Sequence, residues 1–206
     1  MIKPFLRLMS VAVFAFVLVS LPAKADQRLE AASSLVSEMA DAVKQAVEAD
    51  YDSQEARIAA VDMLIESYFD FAGITRFSAG RYWKKATVQE REDYANLFRT
   101  VLTGLAARQF DQLKGLNYTV TDAVSKGKKL VLVTGVMQDP TGAQADVIVS
   151  WRVSTPEGVA PLIIDVEIEN ISMLITQQQE NTAIIRKNGG KFSSLIDVLK
   201  EASQDL

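Results

Sequence analysis

The chain has 206 residues, 49% of them hydrophobic, with 26 acidic against 22 basic side chains and neither His nor Cys. The missing residue types exclude Ser-His-Asp and Cys-His catalysis, thiol redox chemistry, disulfides and ordinary zinc sites. The acidic balance argues against a nucleic-acid partner, and the enzyme chemistry left open is that of carboxylate pairs or a buried lysine.

At the N-terminus Lys3 and Arg7 precede an apolar run over 8–21, and Ala23-Lys24-Ala25 follows. A short positive region, an apolar stretch and an A-x-A end form a signal peptide cleaved after Ala25, which places the mature chain in a bacterial periplasm. The run of about 14 residues falls short of the roughly 20 that span a bilayer. No cysteine stands at the cleavage site to carry a lipid anchor. Residues 26–206 are expected to form one domain. Without Lys3, Arg7 and Lys24, 19 basic residues face 26 acidic ones, a net charge of −7. That charge argues against tight adsorption on anionic lipid, so any contact with a membrane is brief or runs through a partner.

Helical spacing comes next. Leu29, Ala32, Val36, Met39, Val43 and Val47 recur on one face, and Ile58, Val61, Leu64, Ile65 and Tyr68 repeat the pattern. Thr87 and Glu90 form a T-x-x-E capping box, from which one long helix is expected to run to Lys114. After Gly115 the period changes. Strands are expected over 116–124, 129–138, 144–155 and 160–169, separated by Gly- and Pro-containing turns, which makes a four-stranded antiparallel meander. A final helical region begins after Thr176, pauses at Gly189-Gly190 and resumes at Phe192. Helices, then a meander, then helices give an α+β fold, with the N-terminal helices and the long helix packed on the sheet.

The sheet is more apolar than one buried face requires. Leu130 to Val133 are apolar on both faces, Val147, Val149, Trp151 and Val153 share one face, and Leu162, Ile164, Val166 and Ile168 share another. Such a pattern makes either a two-sided core or the wall of a cavity completed by the long helix, and periodicity does not separate the two. Asp165, Glu167 and Glu169 alternate with these apolar residues. They have the spacing of a cation site or an acid/base pair, although such alternation ordinarily marks a solvated sheet face. Arg76, Arg81, Lys84 and Lys85 form a basic cluster in an acidic protein, suited to a phosphate headgroup or an acidic partner, or simply to water.

One string is distinctive: FDFAGITRFSAGRYW over 69–83. With the leader, two helices, the capped helix, the meander, the string Ile171-Ser172-Met173, the Gly-Gly pause and the Leu-rich end in that order, the chain resembles the MlaC or "toluene tolerance" family of periplasmic phospholipid-binding proteins. The matching positions are Phe69, Asp70, Phe71, Gly80, Trp83, Trp151, Asp165, Ile171, Ser172, Gly190, Leu195, Ile196 and Leu199. The segment 171–177 also looks like the branch associated with hopanoid biosynthesis. The family's usual Arg after this segment is absent; Gln178, Gln179, Glu180 and Asn181 stand there.

The resemblance implies a monomeric carrier without cofactor or catalysis. It holds lipid acyl chains and exchanges them with an inner-membrane ABC-transporter complex and an outer-membrane lipoprotein complex. The expected lining is Phe69, Phe71, Ile74, Phe98, Val101, Leu102, Leu105, Val131, Val133, Val147, Val149, Trp151, Val153, Ile164 and Val166. The basic cluster is expected to touch the headgroup or a partner. The rival readings are a hopanoid-related lipid carrier, a small pocket enzyme working through carboxylates, and an adaptor with a solid core.

Overall fold

The computed structural model describes residues 24–206; residues 1–23, which hold nearly all of the expected signal peptide, lie outside them. Among the described residues no helix is long and apolar enough to cross a membrane. Two helices lead, α1 (Lys24–Glu48) and α2 (Gln54–Tyr68), the second capped by Ser53, whose side chain accepts from Ala56 N.

The FDF string then explains itself. Phe69 bridges to Ile163 on the sheet, and Asp70 N donates to Ile163 O at 2.9 Å. Asp70 is also the N-cap of α3 (Phe71–Ser78), its Oδ1 accepting from Gly73 N at 2.9 Å. A Cβ at Gly73 would collide with that carboxylate, so the cap and the glycine require one another. On either side of this fixed turn Phe69 reaches the sheet-side core and Phe71 the helical core, while both touch a third apolar group.

A 3-10 turn at Gly80–Tyr82 leads to α4 (Val88–Arg108), where the Thr87–Glu90 capping box is fully formed. The long helix is shorter than expected. It ends at Gln109, and a separate turn of helix, α5 (Phe110–Leu113), follows. It also packs differently: α4 lies against α7 and α2, while α1 is the helix laid across the sheet, over its first two strands.

The sheet has five strands rather than four: β1 (Asn117–Ser125), β2 (Leu130–Gln138), β3 (Val147–Ser154), β4 (Leu162–Ile168) and the two-residue β5 (Ile171–Ser172), antiparallel in chain order. Glu169 and Asn170 both take positive φ between the paired Ile168 and Ile171, the conformation of a tight two-residue hairpin turn. Ser172 then caps α6 (Met173–Lys187), four residues earlier than the sequence spacing suggests, and α7 (Ser193–Gln204) follows the Gly189-Gly190 break.

The core divides into three apolar groups. In one, Ala32, Val36 and Met39 of α1 cover Val131, Val133, Val153 and Ile163. In a second, Tyr94, Phe98 and Val101 of α4 pack with Ile185, Phe192, Leu195, Ile196 and Leu199. The third holds Val47, Val61, Ile65, Ala107 and Phe110.

Within the second group Tyr94 is fully buried, and its hydroxyl is satisfied. Ser78 donates to Thr75 O, so Tyr94 is left to donate to Ser78 Oγ at 2.7 Å, and Asn181 Nδ2 donates to Tyr94 Oη at 2.9 Å. Asn181 comes from the stretch where the family's Arg is absent, and it ties α6 to α3 and α4 as a neutral group. Burial pushes the Tyr94 hydroxyl up to about 12, against the opposing effect of these hydrogen bonds. The unfolded chain ionises near 10 and the folded chain near 12, so this contribution is intact below pH 10 and is lost as pH rises through 12. Tyr94→Phe should therefore flatten the decline in stability between about pH 10 and 12, as read by urea midpoints across that range.

Candidate functional site

The two faces of the sheet differ in chemistry. Opposed residues in the ladder share a face, so Val131 with Val153, Val133 with Trp151 and Gly135 with Val149 all lie on the side under α1. The pairing of β3 with β4 slips between Arg152 and Val153. The extra residue is Ile164, and beyond it the side chains change sides. Ile163, opposite Val153, is the residue fully buried under α1, whereas Ile164 is half-buried at the bulge. Val166, opposite Trp151, returns to the same face, half-buried, with Val147 at its far end.

Aromatic rings finish this wall. Phe69 meets Trp151 edge-on at 6.2 Å and Tyr118 meets it from another side at 6.5 Å. Tyr118 donates to Val149 O at 3.1 Å, and burial pushes its hydroxyl up to about 12. Its ring lies so close over Gly135 that a Cβ there would collide with it, which explains a glycine in the middle of a strand.

The other face is polar at β3 and β4. Asp165 and Glu167 are 6% and 8% exposed, a correction to the expectation of a solvated carboxylate row. Both face Arg152: its guanidinium pairs with Glu167 and lies 3.6 Å from Asp165 Oδ2. Asp165 also accepts from Ser172 Oγ at 2.5 Å and from Leu174 N at 3.0 Å, where it anchors the start of α6. Only Glu169 is exposed, and it accepts from Ile148 N at 2.7 Å. The carboxylates are thus bound into a structural joint, and among the described residues no group of His, Cys, Asp and Glu is arranged to hold a metal ion.

The structure brings some of the expected lining together and disperses the rest. Phe69, Val131, Val133, Trp151 and Val153 form the wall under α1, and Val149 shares their face of the sheet. Phe98 and Val101 sit in the helical group, with Phe71 and Ile74 against it. Leu102 packs in the third group, and Leu105 is half exposed. Three residues join the groups. Val43 and Phe69 touch both the sheet-side and the third group, and Phe71 touches both the third and the helical group.

Beside that junction a groove runs between α1 and α2, which carry small residues there. Ala42, Ala46 and Ala60, with Met63, Leu64 and Tyr68, line this groove of about 400 Å³. A second hollow of about 470 Å³ lies at the end of the sheet, between Arg28 of α1, Lys128 and the turn from Thr155 to Pro161. Neither was legible from the pattern of apolar residues, because both arise from what fails to touch. The basic cluster stands elsewhere, along α3 and the turn after it, on the outside of the helical group.

The fold is shared with a phospholipid-binding protein from Ralstonia solanacearum, whose structure holds a phospholipid. The two superpose with a TM-score of 0.72 at 20% identity, over 84% of this chain and 97% of that one. No curated protein sequence matches. The family model described as "MlaC protein" matches residues 33–201, from within α1 to within α7. The chain belongs to the MlaC protein family.

Proposed function

We propose that this protein is a periplasmic carrier that holds the acyl chains of a phospholipid between the α1-facing side of its sheet and the α1–α2 layer. It shuttles the lipid between an inner-membrane ABC-transporter complex and the outer membrane, and it performs no catalysis. The observation that carries the reading is the continuous apolar wall of Val131, Val133, Val149, Trp151, Val153 and Ile163, in a fold whose Ralstonia relative is a phospholipid-binding protein. The leader-like N-terminus supports the compartment.

Magnitudes decide how loading proceeds. Two sixteen-carbon tails hold roughly 30 methylenes, each worth about 0.8 kcal/mol out of water. A bilayer supplies the same stabilisation, so a carrier competes only by offering an interior equally dry. A lipid of that size needs a cavity near the upper end of the usual range of about 300–1,000 Å³. The groove of about 400 Å³ between α1 and α2 is too small as it stands. Loading therefore moves α1 and α2 outward from the sheet. Asp165 is held by Arg152, Ser172 and a backbone N–H and Glu167 by Arg152, which argues against their use as the catalytic pair of a carboxylate enzyme.

The test is uptake. Delipidated mature protein is mixed with vesicles containing radiolabelled phosphatidylethanolamine and then separated from them by gel filtration. Label should elute with the protein, approaching one lipid per chain. Label that stays wholly with the vesicles counts against the carrier.

A further inference from the structure

Residues 71–89 contain Arg76, Arg81, Lys84 and Lys85 and not one Asp or Glu, in a chain with 26 acidic residues. All four side chains are exposed, and none forms an ion pair with a described residue. Two of them are nevertheless held in place. Arg81 lies 5.1 Å and Lys85 5.9 Å from the centre of the buried Tyr82 ring, and Arg81 also donates to the Tyr82 hydroxyl. A ring face orients a cation without neutralising it. The backbone beneath is fixed as well, since Arg91 stacks on Trp83 and donates to Trp83 O and Lys84 O. Large apolar side chains stand among these charges: Phe77 is 44% exposed and Val88 69%.

We propose that this face, Arg76 to Val88, is where the protein touches down on an anionic phospholipid surface. Unpaired cations suit the phosphates, while Phe77 and Val88 suit the boundary between headgroups and acyl chains. Outside this face the mature chain carries 26 acidic against 15 basic residues, so on balance an anionic surface repels the remainder and favours this face. Four cations bind weakly enough to release, as a shuttle requires. The inference goes beyond the carrier reading and does not depend on cargo.

Full-length mature protein is sedimented at low salt with vesicles of equal phosphatidylglycerol and phosphatidylcholine, and with phosphatidylcholine alone. It should bind only the former and release in high salt. Each Lys or Arg near an anionic surface is worth about a fivefold gain in affinity, so Arg76→Gln/Lys84→Gln should bind about 25-fold more weakly. Arg76→Lys/Lys84→Arg should retain binding, and Phe77→Ser should weaken it. Urea midpoints and lipid content by native mass spectrometry should not change in any of these variants. The proposal is overturned if the parent ignores anionic vesicles or if the neutralised variant binds them equally. It is also overturned if polyglutamate but no vesicle is bound, which assigns the face to an acidic protein. Loss of bound phospholipid with vesicle binding intact overturns it too, and assigns the cations to the cargo's headgroup.

Discussion

Val149→Trp should leave a folded protein that takes up phospholipid about two orders of magnitude less well. Val149 is 7% exposed, in the middle of the β3 face between Val147 and Trp151, with Gly135 opposite and the Tyr118 ring over that glycine. The indole adds about seven heavy atoms at a position that is already buried, and overpacking of this kind costs about 1–3 kcal/mol of stability. On loading, the same indole occupies space the acyl chains need. Displacing about four methylenes at about 0.8 kcal/mol each forfeits about 3 kcal/mol, which is a factor of about 100 or more in affinity. Both measurements need delipidated protein, because bound lipid raises apparent stability. Leu105→Trp, on a half-exposed position of α4, is the control and should bind as the parent does. Unchanged uptake by Val149→Trp would show that the wall lies elsewhere.

Arg152→Met should be the most damaging single change to stability that spares the apolar wall. Arg152 lies on the face of the sheet turned away from α1 and is the ion-pair partner of both Asp165 and Glu167. Removing it leaves two adjacent carboxylates with no countercharge in a site that water barely reaches. Breaking a fully buried pair costs about 3–5 kcal/mol. The Arg152 side chain is 36% exposed, so solvent screens part of that loss and about 2–3 kcal/mol is expected. Urea unfolding measures it. Adding Glu167→Gln to Arg152→Met should recover a good part of the loss, because only Asp165 then stays charged. A change below about 0.5 kcal/mol would mean that the pairing contributes nothing beyond its geometry.

Where the chain punctuates itself chemically, the sequence was legible. The Thr87–Glu90 box starts α4, the Gly- and Pro-containing turns separate β1 to β4, and the Gly-Gly pair divides α6 from α7. Where punctuation lacked such residues, elements were lost. The α4–α5 break at Gln109 has neither Gly nor Pro, and the turn into β5 is made by Glu169 and Asn170 rather than glycine. The wall was half legible for a different reason. A strand period of two assigns faces correctly only until a bulge adds a residue, so Ile164 was expected inside where Ile163 is found. Helical periodicity shows that a helix has an apolar face but not what covers it, which is why α4 was expected on the sheet beside the N-terminal helices and is found against α7 and α2. The burial of Asp165 and Glu167 depends on Arg152 standing opposite, a pairing fixed by the β3–β4 register that no single strand's pattern contains.

The claim that this protein carries lipid is tested most directly by native mass spectrometry of mature protein, gently purified from a Gram-negative periplasm. The account predicts a species heavier than the bare chain by one diacyl phospholipid, with the lipid recovered in an organic extract. Spectra showing only the bare chain would contradict it.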